Sequence, residues 1–179
     1  PSRKINNIYF DNILKKNYLD NVEGNSIRQK IRIRWYDNSK EKHFNFEIKK
    51  KIGEVGYKEQ KELKNQSLLN FMDPEKYYQI KNNKIRKLLE YNNLFPTLGN
   101  SYIRKYFISH DRSFRITLDR GMKFFKPQKN NNSEIYPMHK SSILEIKYDI
   151  DKNSIAYKIF KDFPFRLTKC SKYVIGINI

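Results

Sequence analysis

Arg28, Lys30, Arg32 and Arg34 alternate with Gln29, Ile31, Ile33 and Trp35. Alternate side chains of a β-strand share a face, so this spacing predicts a strand with four cations on one side and apolar side chains on the other. Cations repeating about every 7 Å along one face repel each other unless an anion sits among them. A short, densely charged anion such as a polyphosphate answers that geometry, because arginine can bind its oxygens bidentately. Further segments repeat the arrangement. Their polar faces carry Glu47 and Lys49, then Arg104, then Arg115, Thr117 and Asp119, then Glu145 and Lys147. The pattern Glu-x-Lys thus occurs twice. A carboxylate among such cations can hold a divalent metal against phosphate oxygens. Phosphoryl transfer needs that positioning and charge neutralisation more than it needs a covalent group on the protein.

These side chains must be held by a sheet. The first block, Ile5 to Lys58, reads as strands: a short apolar run Ile8-Tyr9-Phe10-Asp11, one helical turn or edge segment over Asn12 to Asn21, and a turn at Gly24-Asn25. A hairpin then joins Arg28–Trp35 to Phe44–Lys49 through Asp37-Asn38-Ser39. Glu59 to Asn93 reads as helical, with Asp73 as an N-cap before Pro74, an apolar face at Ile85, Leu88 and Leu89, and Pro96 and Gly99 ending it. Strands return at Ser101–Ile108 and Phe114–Asp119, a hairpin turning at His110-Asp111-Arg112. Phe124-Phe125 begins a further short strand, Lys126–Ser133 is a polar loop, and Ile143–Tyr148 is a strand. Lys158–Phe163 reads as a short helix, followed by polar Arg166–Lys172 and apolar Tyr173–Ile177. Hairpins with helices inserted between them point to an antiparallel α+β fold or barrel. If the charged faces point inward, the lumen of the barrel is a cationic tunnel; if outward, the sheet is half-solvated with a basic surface. Solvated strand faces usually mix Thr, Ser, Glu and Lys, and the unbroken Arg28-Lys30-Arg32-Arg34 series departs from that.

The bulk numbers frame this reading. A chain of 179 residues is enough for one domain. The 38% hydrophobic share is low, but 15% aromatic residues supply a core. A formal charge of +18 requires an anionic partner. Cys170 is the only cysteine, which excludes an intrachain disulfide and a cysteine metal cluster and fits a reducing, cytoplasmic setting. No apolar run approaches the roughly 20 residues of a transmembrane helix, and the chain opens at Pro1 inside strand-like sequence, as a segment lacking its native N-terminus would. There is no P-loop and no dinucleotide fingerprint. His43, His110 and His139 lack ligand spacing. Tyr77-Tyr78 and Phe124-Phe125 could stack bases, but core packing is the commoner use of such pairs. Nucleic acid is the wrong partner for the Glu-x-Lys strands, whose carboxylates repel a phosphate backbone.

Taken in order, Ile8-Tyr9-Phe10-Asp11, Gly24, Arg28 to Tyr36, Phe46-Glu47-Ile48-Lys49, Tyr102-Ile103-Arg104, Phe114 to Asp119, Ile143 to Tyr148, and Ser171-Lys172-Tyr173 with Gly176 resemble the VTC domain. That is the polyphosphate polymerase domain of the vacuolar transporter chaperone family, and the resemblance spans nearly the whole chain as one domain, residues 1–179. It implies an antiparallel β-barrel of the CYTH-like, triphosphate-tunnel type. It implies an activity that moves the terminal phosphate of ATP onto a growing polyphosphate chain with Mn²⁺ or Mg²⁺. By motif position, Arg32, Arg34, Lys49, Arg104, Arg115, Lys147 and Lys172 would bind phosphates, with Lys30 and Lys169 as further contacts. Glu145 would hold the metal, and Glu47 would be structural or a second metal contact. Two departures stand out. The strand and helix that usually precede the Ile-Tyr-Phe-Asp element are missing, which leaves the expected barrel without its first strand, and Glu59 follows Lys58 where a basic pair is expected. An inorganic triphosphatase and a non-catalytic polyphosphate-binding module share this fold and these residues. Family members often sit beside membrane-spanning segments, which makes membrane association in a larger protein a further expectation.

Overall fold

The computed structural model describes residues 1–37, 43–53, 55–64, 66–73, 76, 79–128, 135–137 and 142–179. Asn38-Ser39, Pro74, Tyr77-Tyr78, His139 and the second half of the Lys126–Ser133 loop lie outside them. One eight-stranded sheet carries the fold, and every strand pair is antiparallel. Its strands are β1 (Ser2–Asp11), β2 (Ile27–Tyr36), β3 (Phe44–Ile52), β4 (Val55–Leu63), β5 (Phe95–Ile108), β6 (Phe114–Phe125), β7 (Ile135–Pro137) and β8 (Ile143–Tyr148). In space they run β4-β3-β2-β1-β5-β6, and the far side of β6 pairs with β8 over Phe114–Asp119 and with β7 over Lys123–Phe125. Among the described residues, five α-helices accompany them: α1 (Lys16–Val22), α2 (Leu69–Met72), α3 (Asn83–Tyr91), α4 (Asn153–Lys161) and α5 (Lys172–Ile177).

Both expected hairpins form, β2 with β3 and β5 with β6. Several boundaries differ from the sequence reading. The stretch from Glu59 to Leu63 is the end of β4 rather than the start of a helical block. Nearly all of β4 is solvent-exposed, so pairing with β3 holds it where no apolar period could. Asn82 caps α3, its side chain accepting a hydrogen bond from the Ile85 amide, while the turn that Asp73-Pro74 would open lies outside the described residues. Pro96 and Gly99 belong to β5, where Pro96 sits at a register shift against Phe10, a position that needs no ladder donor. Phe124-Phe125 is the end of β6, and α4 begins at Asn153, well before Lys158.

The two faces of the sheet are packed differently. On one, Ile8, Phe10, Ile31, Ile33, Phe44, Phe46 and Ile48 form a core with Phe71, Ile80, Ile85 and Leu89 beneath α2 and α3. On the other, α5 covers only part of the surface, where Tyr173 packs with Ile5, Tyr9, Leu98, Tyr102, Met122 and Phe124. Asp11, fully buried, ties the elements at this end together. One oxygen accepts from the Asn17 amide at the start of α1, and the other accepts from the Tyr18 amide and from the Tyr173 hydroxyl at 2.6 Å. Ser171 caps α5 and so places Lys172 over the sheet.

The sheet is strongly curled. Lys49 on β3 lies within electrostatic reach of Glu145 and Lys147 on β8. In a flat sheet these strands, five spacings apart, would stand about 24 Å from each other, well beyond the ~8–10 Å screening length. Hydrogen bonds do not complete a ring among the described residues: β4 and the β7/β8 side remain edges.

Gly176 is where α5 comes closest to the sheet, and a Cβ there would collide with the Phe124 ring and with Leu98. Gly176→Ala is therefore expected to destabilise the chain by about 1–3 kcal/mol and to displace Lys172, as read by urea denaturation.

Candidate functional site

The curl gathers the polar faces of the strands into one concave surface. Arg32 and Arg34 project from β2, Glu47 and Lys49 from β3, Arg104 from β5, Asp119 from β6, Glu145 and Lys147 from β8, and Lys172 from α5. Glu47, only 1% exposed, anchors one side. Its Oε2 accepts from Arg32 Nε at 2.8 Å and lies 2.6 Å from Arg32 Nη2, while Lys58 Nζ sits 2.8 Å from Oε1. Burial works against the charged carboxylate, but Arg32, Arg34 and the Lys58 hydrogen bond outweigh it and hold Glu47 down at about 2. Glu47 is thus ion-paired with Arg32 and Lys58 inside the sheet.

Asp119 plays the matching part on the other side. Arg104 donates to it with both arms of its fork, at 2.6 and 2.8 Å, and Lys172 Nζ closes to 2.7 Å. Burial penalises the Asp119 charge, yet these two cations keep its pKa below the ordinary range. Two of the expected anion binders, Arg104 and Lys172, are thus clamped to one carboxylate. Arg34 differs: its Nε donates to the amide oxygen of Asn7 at 2.8 Å, and the nearest carboxylate oxygen, on Glu47, is 4.0 Å away.

Glu145 is the accessible carboxylate of this group. Its side chain is 39% exposed, with Lys147 at 3.4 Å and Arg104 at 3.7 Å. No cluster of three or more His, Cys, Asp and Glu side chains capable of caging a metal exists among the described residues. One carboxylate facing a cationic cleft suits a hard divalent ion that draws most of its oxygen ligands from phosphate and water.

Beside this network, an open cavity of about 810 Å³ is lined by Arg28, Lys30, Lys49, Lys51, Lys58 and Lys169, together with Cys170, and by no carboxylate among the described residues. Burial pushes the Lys30 ammonium below its ordinary pKa, and Lys49, Arg32 and Arg28 push it further while Tyr9 opposes. Lys49 is lowered in the same way, by burial first and then by Arg32 and Lys147. Both shifts record ammonium groups that are desolvated first and crowded by other cations second, a cost that a bound anion would relieve.

Of the residues singled out from sequence, Lys30, Arg32, Arg34, Lys49, Arg104, Glu145, Lys147 and Lys172 share the concave face. Lys169 lies on the wall of the cavity. Arg115 sits at the outer, solvent-exposed end of β6, in register with Lys147. Sequence reasoning passed over Asn7, Tyr9, Lys58, Tyr102 and Asn100. Arg32 lies over the Tyr9 ring and Arg104 over the Tyr102 ring. Their signal was present in the alternation of Ile5, Asn7, Tyr9 and Asp11 against Asn6, Ile8 and Phe10, masked because both faces of the central strand are buried. Cys170, exposed and raised above its usual pKa by burial of its sulfur, is a poor nucleophile.

The fold and site define an α+β protein with a curled antiparallel sheet and a cationic concave face. Solved structures share this fold. A candidate adenylate cyclase from Bacillus halodurans superimposes with a TM-score of 0.58 at 13% identity, over 96% of this chain and 80% of that one. The PH1819 protein from Pyrococcus horikoshii OT3 matches with a TM-score of 0.55 at 12% identity, over 99% of this chain and 82% of that one. No curated protein matches the sequence. The family model for the VTC domain matches residues 1–179, and the chain belongs to that family. No described helix is long and apolar enough to cross a membrane.

The Glu47 shift has a measurable consequence. Its folded pKa, about 2, lies below the ordinary 4.5. The stabilisation is therefore present above pH ~4.5 and is lost as pH falls toward 2, about 3 kcal/mol in all. Urea midpoints at pH 7, 4 and 2.5 are expected to fall steeply for the wild type and more gently for Glu47→Gln, which starts lower.

Proposed function

We propose that this chain is a triphosphate-tunnel domain that acts as an ATP-dependent polyphosphate polymerase. The observation that carries the reading is the convergence of Arg32, Arg34, Lys49, Arg104, Lys147 and Lys172, from five different elements, on one concave face whose buried carboxylates are already committed. Glu47 and Asp119 hold the guanidiniums in place. They do not neutralise the face, since Arg34, Lys49 and Lys147 add to it and the neighbouring cavity brings further cations. Membership of the VTC family supports the choice of a phosphate-chain substrate.

In this reading the curled sheet closes around its ligand as a tunnel. Arg32, Arg34 and Arg104 grip phosphate oxygens, and Lys147 and Lys172 neutralise the charge that develops on the transferring group. Lys49 and Lys30 lead toward the open cavity, where Lys169 stands with the other wall cations and the chain of phosphates extends. Arg115, exposed on β6 in register with Lys147, would meet phosphate from the side. Glu145 would hold Mn²⁺ or Mg²⁺ against the phosphates. Such an ion, when bound, neutralises phosphate charge and orients the leaving group. The protein's part is to bring the terminal phosphate of the chain in line with the nucleotide's last phosphorus. The attacking oxygen belongs to phosphate, so the poor nucleophilicity of Cys170 costs the reaction nothing.

Incubation of the chain with ATP and Mn²⁺, followed by phosphorus NMR, tests this directly. A growing internal-phosphate signal is expected. Orthophosphate alone identifies a triphosphatase, and tripolyphosphate binding without turnover identifies a binding module. Glu145→Ala and Lys147→Ala are expected to reduce turnover by at least ~100-fold with little change in thermal stability, because both side chains are partly exposed. Arg32→Ala is a less selective probe: it also leaves Glu47 buried without its main partner, and a stability loss of about 3–5 kcal/mol accompanies the loss of turnover.

A further inference from the structure

A row of polar side chains crosses the three central strands beneath the site. Arg34 on β2, Asn7 on β1 and Asn100 on β5 are direct cross-strand neighbours. Arg34 Nε donates to Asn7 Oδ1 at 2.8 Å, and Asn7 Nδ2 donates to Asn100 Oδ1 at 2.7 Å. Both asparagines are fully buried. Arginine can only donate, so it dictates the orientation of the Asn7 amide, and Asn7 in turn dictates that of Asn100. The row ends on Asn100 Nδ2, a buried donor without a hydrogen-bond partner.

Burying two amides in the middle of a sheet, one of them imperfectly paired, costs stability. A carboxylate at position 7 would hold Arg34 more strongly, as Glu47 holds Arg32 and Asp119 holds Arg104. It would also cancel the arginine's charge. An amide fixes the guanidinium by its Nε edge and leaves the charge whole. The remaining edge is only lightly engaged, by the Tyr102 hydroxyl at 3.4 Å and by Glu47 at 4.0 Å.

We infer that Asn7 and Asn100 are positioning residues of the polyanion site, aiming the Arg34 guanidinium at bound phosphate without neutralising it. The inference rests on the phosphate-binding reading above and names the guanidinium of the site that is held by an amide and only loosely approached by a carboxylate.

Asn7→Asp separates this role from a purely structural one. The substitution is nearly isosteric and keeps the acceptor for Arg34 Nε. Rotation of the Asn100 amide would let its unpaired Nδ2 donate to the new carboxylate, so the fold is expected to survive with an unchanged or higher melting temperature. Titration of the 179-residue chain with tripolyphosphate is expected to show affinity weakened by about tenfold or more, with a shallower dependence on salt. Wild-type affinity in a folded Asn7→Asp variant would overturn the inference, because a structural bond alone is preserved in it. If that variant does not fold, Asn100→Asp takes its place. It leaves the Arg34–Asn7 bond intact, adds charge one residue further away, and is expected to weaken binding by about threefold; unchanged affinity there overturns the inference equally. If the wild type itself does not bind tripolyphosphate, the phosphate-binding reading fails rather than the assignment of the asparagines.

Discussion

Like-charge repulsion is the constraint on which this structure turns. Lysines and arginines crowd one concave surface and the cavity beside it, and a sheet cannot curl their side chains together without compensation. Glu47 and Asp119 supply it from inside. Each is all but inaccessible and is ion-paired with two cations. Buried ion pairs rarely stabilise a protein more than apolar packing would. Here they do something packing cannot: they fix guanidiniums at set positions and orientations while the surface as a whole remains cationic.

The same constraint shapes the parts that bear no charge. Tyr9 and Tyr102 present their rings to Arg32 and Arg104, and their hydroxyls to Arg32 and Arg34. Aromatic rings tolerate a cation at close range and add no negative charge. α5 then seals one end of the concave face with Tyr173 and delivers Lys172 at its edge. Asp11 makes that placement possible by joining the end of β1, the start of α1 and the Tyr173 hydroxyl. Its hydrogen bond from Tyr173 raises the phenol's pKa after burial has already done so. Core and site are therefore one construction, in which the apolar cluster under α5 sets the distance between Lys172 and Asp119.

Among the described residues, carboxylates stand in the network and not on the cavity wall, and on the proposed reading this gives the site a direction. On that reading metal and triphosphate would take the end where Glu145 stands, because an ion needs at least one hard anionic ligand from the protein. An extended phosphate chain suits the end where Arg28, Lys51 and Lys169 stand, because it needs only cations spaced along its path.

By itself the sequence determined the strands that alternate strongly, the faces their cations occupy, and the family. Arg28 to Trp35 and Ile143 to Tyr148 could be read because a period of two survives wherever one face is polar. It did not determine β1 as a ten-residue central strand, because a strand buried on both faces loses its alternation; only the run Ile8-Tyr9-Phe10-Asp11 stood out, and Asn7 lay outside it. It did not determine β4, whose residues are polar on both sides and are ordered only by pairing with β3. Nor did it determine which cations keep their charge for a ligand. Arg32, Arg34 and Arg104 are indistinguishable along the chain. Only the tertiary structure gives two of them a carboxylate and the third an amide, because that choice depends on which residue of the neighbouring strand the register sets opposite each one.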